Sequence, residues 1–242
     1  MRIALALLLL GTAAHAKEVT LRTSDGLVLK AEWTPPPAAR RGVLVALHEE
    51  GLNRMVYLPL VGPAAAEGLG VLAVDLRGHG ASVRQGKKDL GPRVEARDET
   101  LFAGLGKDVA AAMAFLKRQG FGPEKVVIVG ASAGASAALD YAATSPKLKG
   151  AVLLTPGKHI LGIASMQHIT KWGDRPLLIV AAKSEAGTGA RPIYDALESK
   201  RHAVLLELPQ PEAHGTRMFG RVPDIERRIA EWSAIQLGRP LK

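Results

Sequence analysis

Six short, almost continuously apolar runs, at residues 43–47, 71–74, 126–129, 151–154, 177–182 and 203–208, are the strongest constraint this sequence places on its fold. A strand with one face in water alternates apolar and polar residues, whereas a strand without alternation is covered on both faces. Such strands belong to a mostly parallel sheet, whose crossover connections lay helices over it. Between the runs lie segments with helical spacing, clearest at 57–67, 106–119, 133–143, 190–200 and 223–237. Strand and helix alternate to the end of the chain, which predicts an α/β fold with helices on both faces of the sheet. Ahead of this region, residues 19–22 and 27–33 do alternate, around Ser24-Asp25-Gly26. They read as an N-terminal β-hairpin whose Asp-Gly turn supplies the positive φ, closed by the stiff Pro35-Pro36-Pro37 loop. No repeat, low-complexity tract or long linker divides the rest, so residues 17–242 are expected to form one domain.

The first residues differ in kind. Arg2, the apolar run 3–10 and the small-residue box Ala14-His15-Ala16 predict a secretory signal peptide over residues 1–16, cleaved after Ala16, and hence a periplasmic or secreted protein. The run is far shorter than the ~20 residues a helix needs to cross a bilayer, and no other segment is long and apolar enough to span one. Export permits disulfides, but the chain has no cysteine. That excludes a lipid-modified N-terminal Cys, a thiol nucleophile and thiolate metal sites, and leaves stability to a packed core. The formal charge of +9 is spread over short clusters such as Lys87-Lys88, Lys117-Arg118 and Arg227-Arg228, and aromatic residues make up only 4%. Scattered basic pairs without interleaved aromatics argue against a nucleic-acid surface and for a solvated basic one.

Gly130-Ala131-Ser132-Ala133-Gly134 follows the run at 126–129 and leads into an Ala-rich helical segment. The pentapeptide recurs by chance; its position between a buried strand and a helix gives it meaning, because a nucleophile elbow needs that context. The turn is tight and strained, and a side chain at either glycine would meet the neighbouring strand or helix. Ser132 is thereby lifted clear at a helix N-terminus, where free N–H groups and the helix dipole favour negative charge.

A serine hydroxyl needs a base to take its proton, and the base needs a group to orient it. In elbows of this kind the acid and then the histidine follow the serine in the chain. Of the downstream histidines, His202 starts a strand and His159 and His168 fall in an earlier connection. His214 stands in Glu212-Ala213-His214-Gly215-Thr216, a loop between the last strand and the final helix, and is the expected base. The acid should lie just beyond the strand at 177–182. Glu185 is the first carboxylate there, and Asp195 competes from inside a predicted helix.

Two stretches, 76–100 and 156–174, lack clear periodicity; both follow strands, so both are expected near the carboxyl ends of the sheet, where ligands bind in open α/β folds. Neither is long enough for a separate cap domain. His48-Glu49 lacks a second His four residues on and is not a zinc-protease motif; Gly68 and Gly70 precede their strand and are not a dinucleotide fingerprint. No metal and no organic cofactor are expected.

Four segments now stand in order along the chain: Leu47-His48-Glu49-Glu50-Gly51-Leu52-Asn53-Arg54, Asp75-Leu76-Arg77-Gly78-His79-Gly80-Ala81-Ser82, the elbow, and Ala213-His214-Gly215-Thr216. On these segments the chain resembles an α/β-hydrolase of the dienelactone-hydrolase or serine-aminopeptidase-like branch. The resemblance implies an oxyanion hole made by two backbone N–H groups, one on the residue after the nucleophile, here Ala133, the other in a His-Gly turn, at the position matching Glu50. Such donors are worth about 3 kcal/mol each to the transition state. The sequence departs from the pattern, because Glu49 stands where many relatives have Gly. Two carboxylates beside an anion hole oppose its charge unless they point outward or are paired, with Arg54 and Arg77 as candidate partners. The resemblance also implies structural roles for His48, which braces the turn, and for His79 and the Asp75–Gly78 loop.

The expected activity is two-step acyl transfer on small soluble esters: Ser132 as nucleophile, His214 as base, Glu185 as orienting acid, with Ala133 and Glu50 as oxyanion donors. A peptidase or amidase would use the same groups. A non-catalytic binding protein retaining the fold is the reading from another class, and the two glutamates after His48 are its best support.

Overall fold

Residues 16–37 and 41–240 are described in the computed structural model, so the expected leader peptide lies outside the described residues apart from Ala16. The hairpin forms from β1 (Lys17–Arg22) and β2 (Val28–Thr34), which pair antiparallel. Its alternation sends Leu21, Leu29, Ala31 and Trp33 into the core and leaves Lys30 and Glu32 partly exposed, with Gly26 at φ +84° in the turn.

The apolar runs become β3 (Gly42–Leu47), β4 (Leu69–Val74), β7 (Val126–Ala131), β8 (Gly150–Leu154), β9 (Leu177–Ala182) and β10 (Ala203–Leu208). Among the described residues one sheet has eight strands in the order β1-β2-β4-β3-β7-β8-β9-β10, antiparallel at β1/β2 and β2/β4 and parallel elsewhere. Every residue of β3, β4, β7, β8 and β9 is buried. β10 departs from the expectation: among the described residues it is the edge strand, paired only with β9, so most of its residues are only partly buried and Val204 is 46% exposed.

Helices cover both faces. On one, α4 (Leu105–Arg118) and α5 (Ala133–Ala142) share a core with Trp33, Val43, Val45 and Leu47; on the other, α1 (Leu58–Ala66) and α8 (Ile225–Gln236) share one with Leu44, Ala46, Val127 and Val129. The helix expected over 190–200 is shorter, α7 (Ala190–Asp195), because the chain turns back into β10 where the Ser199 hydroxyl donates to Asp174. The stretch at 76–100 holds a two-stranded ribbon, β5 (Arg84–Gln85) with β6 (Lys88–Asp89), and the short helices α2 (Gly91–Glu95) and α3 (Glu99–Phe102). The stretch at 156–174 holds only α6 (Ser165–Ile169), so no large cap covers the sheet among the described residues.

The strand order fixes where chemistry can happen. From β3 the chain moves to β4 on one side; from β7 it moves to β8 on the other. The loops leaving β3 and β7 therefore diverge, opening a crevice at the carboxyl ends of two adjacent strands, the place where open α/β sheets bind ligands.

Candidate active site

β7 ends in Ala131, and Ser132 makes the turn alone, at φ +46° and ψ −107°, before α5 begins at Ala133. Left-handed geometry at a non-glycine residue costs about 1–3 kcal/mol and persists only where the surroundings enforce it. Here the backbone is pinned at both ends: the Ser132 N–H donates to Leu154 O at 3.0 Å, and its carbonyl accepts from Ala135 and Ser136 at 3.0 and 3.1 Å. The flanking glycines are steric requirements. A Cβ on Gly130 would lie 2.4 Å from Gly134 O, and one on Gly134 would lie 2.1 Å from Leu47 O of β3. The Ser132 side chain is half-buried and makes no hydrogen bond among the described residues.

His214 follows β10 at the start of a 3-10 turn, Gly215–Met218. Its neighbours are tied to the ends of two strands. Ala213 O accepts from Ala182 N at 3.1 Å and from the Thr155 hydroxyl at 3.3 Å, and Gly215 N donates to that hydroxyl at 3.0 Å. His214 Nδ1 lies 2.6 Å from Glu185 Oε2. With Glu185 ionised, Nδ1 carries the proton and donates, which leaves the lone pair on Nε2. Asp195, the competing acid, is exposed at the end of α7; of the other downstream histidines, His168 lies near Asp140 and His202 near Asp174.

Ser132 and His214 line one cavity of about 210 Å3 together with Glu49, Glu50, Leu52 and Arg217. No hydrogen bond joins them; such contacts often tighten only when substrate is bound. An adjoining depression continues past His214 to Glu185, Glu212 and Arg221. Arg217, Arg221 and Glu212 on that rim form no ion pair among the described residues. The amides of Ala133 and Glu50 donate to no other described group and are free to meet a ligand.

The carboxylates after His48 are both engaged, though not by the arginines expected. Glu50 pairs with Arg97 at 3.0 Å. Glu49, only 7% exposed, reaches across to Thr216, accepting from its N–H at 3.1 Å and from its hydroxyl, which lies 2.9 Å from each carboxylate oxygen. Arg54 serves Asp75 and Glu18, while Arg77 is buried against Asp108 and Asp25. Both arginines thus fix the loop after β4. Burial alone would raise the Asp25 carboxyl, but hydrogen bonds from Arg77 and Thr23 hold it well below the usual carboxylate range. Burial pushes Asp108 up, to about 6, against the pull of Arg77.

His48 lies beneath the site. Its Nδ1–H donates to Glu49 O at 2.7 Å and its Nε2 accepts from Leu76 N at 3.1 Å, so both ring nitrogens are committed in the neutral form. Burial, with His79 beside it at 5.2 Å between ring centroids, lowers its pKa to about 4. It joins the turn after β3 to the loop after β4 and touches no ligand space. Two supporting residues had no role assigned from sequence: Thr155, a φ +45° residue after β8, and Thr216. No group of three His, Asp or Glu side chains among the described residues is arranged to hold a metal ion.

A family model, the alpha/beta hydrolase family, matches residues 43–240. No curated protein matches by sequence. Solved structures do match by shape. An esterase from an Arctic intertidal metagenomic library aligns with a TM-score of 0.72 at 17% identity over 93% of this chain and 95% of its own. The dienelactone hydrolase of Anabaena variabilis gives 0.69 at 18% identity over 95% and 100%, and a Pyrococcus furiosus esterase 0.68 at 18% over 93% and 92%.

Proposed function

The chain belongs to the alpha/beta hydrolase family, and on that premise we propose that it is a serine hydrolase, a carboxylesterase acting on small soluble esters through Ser132. One observation carries the reading: His214 is held by Glu185 at 2.6 Å through Nδ1, its Nε2 is unengaged, and it shares a cavity with a serine on a strained elbow. In the reaction Nε2 takes the Ser132 proton as Oγ attacks the ester carbonyl. Glu185 fixes the tautomer and stabilises the imidazolium. The Ala133 and Glu50 amides receive the oxyanion. The tetrahedral intermediate collapses, His214 protonates the departing alcohol, and the same nitrogen then activates water to release the acid.

The ester assignment draws on the solved structures of similar shape, described as esterases and a dienelactone hydrolase. Small substrates suit a cavity of about 210 Å3 whose lining is polar apart from Leu52. The reading includes export, on the strength of the leader-like residues 2–16; N-terminal sequencing of protein recovered outside the cytoplasm should begin at Lys17. The deciding experiment is fluorophosphonate labelling with the modified peptide mapped by mass spectrometry. Stoichiometric labelling at Ser132, abolished in Ser132→Ala, is expected, and a native protein that takes no label would overturn the assignment. Parallel rates on p-nitrophenyl acetate and an aminoacyl anilide should favour the ester.

A further inference from the structure

We propose that Glu49 is a positioning residue that ties the His214 turn to the oxyanion turn, so that base and hole move as one body. The inference rests on the hydrolase reading and extends it to a residue where the family resemblance implies glycine.

Glu49 precedes Glu50, whose amide is a proposed oxyanion donor, and sits on a turn fixed from below by His48. Its nearly buried carboxylate spans 167 residues of sequence to Thr216, two positions after His214. A carboxylate that accepts both the backbone N–H and the hydroxyl of one residue defines the position of that residue more narrowly than a single bond. The contact is close enough to shape its neighbour: Gly215 adopts φ +50°, and a Cβ there would lie 2.7 Å from Glu49 Oε1. On the far side of His214, Thr155 and Ala182 hold Ala213, and Thr155 also holds Gly215 N. The histidine is thus suspended between an anchor on the strand ends and an anchor on Glu49. Without Glu49 the second anchor is lost and the imidazole is free to drift from the oxyanion site, and displacements of about 1 Å at a reacting centre can cost a hundredfold in rate.

The charged groups around the imidazole are Glu185 on Nδ1, Glu49 behind the turn, Glu50 across the cavity, and Glu212, Arg217 and Arg221 on the rim. Glu49 therefore has two separable effects, geometric through Thr216 and electrostatic through its charge. Glu49→Ala removes both, Glu49→Gln removes the charge and keeps an acceptor oxygen, Thr216→Val removes the hydroxyl bonds of the tie, and Thr216→Ser keeps both. On p-nitrophenyl acetate, Glu49→Ala and Thr216→Val are each expected to lower kcat roughly ten- to a hundredfold with KM changed less than about threefold. The double variant should be no worse than the poorer single one, and Thr216→Ser should stay within about threefold of the native rate. Glu49→Gln should fall between Glu49→Ala and the native rate, because its amide oxygen still accepts from Thr216. Native-like kcat in both Glu49→Ala and Thr216→Val, or losses that simply add in the double variant, would overturn the proposal.

If the native protein neither turns over esters nor takes the probe, the hydrolase reading fails by itself. The tie is then decided by NMR of native and Glu49→Ala protein: faster amide exchange at Gly215 in the variant supports it, and identical exchange overturns it. Should Glu49→Ala fail to fold, the Thr216→Val and Thr216→Ser pair carries the comparison by kcat alone.

Discussion

His48 shows how a residue inside a functional motif can serve structure without touching substrate. Its two ring nitrogens are spent on Glu49 O and Leu76 N, and protonation would turn the acceptor toward Leu76 into a second donor facing an N–H. Burial therefore keeps its pKa near 4, below the ordinary value of 6.5. An unfolded chain takes up the proton first as the medium is acidified, so the contribution of His48 to stability is full above pH 6.5 and disappears as the pH falls through 4. The loss is about 3 kcal/mol across that window. Urea denaturation at pH 7 and pH 4.5 should register much of it, and His48→Gln should flatten the pH dependence whatever its stability at neutral pH. Glu49 teaches the complementary lesson. Its side chain could not be placed from sequence, because the partner that satisfies it lies 167 residues away and is brought near only by the order of the strands. Arg54 and Arg77, nearer in the chain, are drawn off by Asp75 and Asp108. The placement of Glu185 beside His214 was legible for the opposite reason: the end of β9 is fixed by its apolar run, and the first carboxylate after it has little freedom to be elsewhere.

At the scale of elements, the elbow is a joint between β7, α5 and β3 in which two missing side chains matter as much as the serine between them. Gly134→Ala would place a carbon 2.1 Å from Leu47 O, a backbone atom in a central strand that cannot step aside. The substitution should cost about 3 kcal/mol or more, read as a fall in denaturation midpoint, or shift α5 outward with loss of probe labelling. This joint was readable because a steric rule acts within five residues. The interior strands were readable for a similarly local reason, since burial on both faces leaves a run with no polar positions. β10 was not distinguished from them: residues 203–208 have the same apolar look, and what exposes them is the lack of a partner on one side, a property of the sheet as a whole. The region 76–100 was opaque because its short helices and ribbon follow no long period. Its shape is set instead by Arg77, buried against Asp108 of α4 and Asp25 of the hairpin turn.

In the whole molecule the proposed reactive groups come from the ends of four separate strands: Glu50 after β3, Ser132 after β7, Glu185 after β9 and His214 after β10. None is assembled by local structure. Among the described residues β10 joins at the margin of the sheet through parallel pairing with β9 alone, and His214 hangs from its end. Non-local parallel pairing is slow compared with helix formation. In refolding from denaturant, recovery of far-ultraviolet circular dichroism should therefore precede recovery of probe reactivity, and simultaneous recovery of the two signals would contradict this. A chain built in this way is chemically mute while it is unfolded, and its proposed reactivity arises only when the outermost strand has docked.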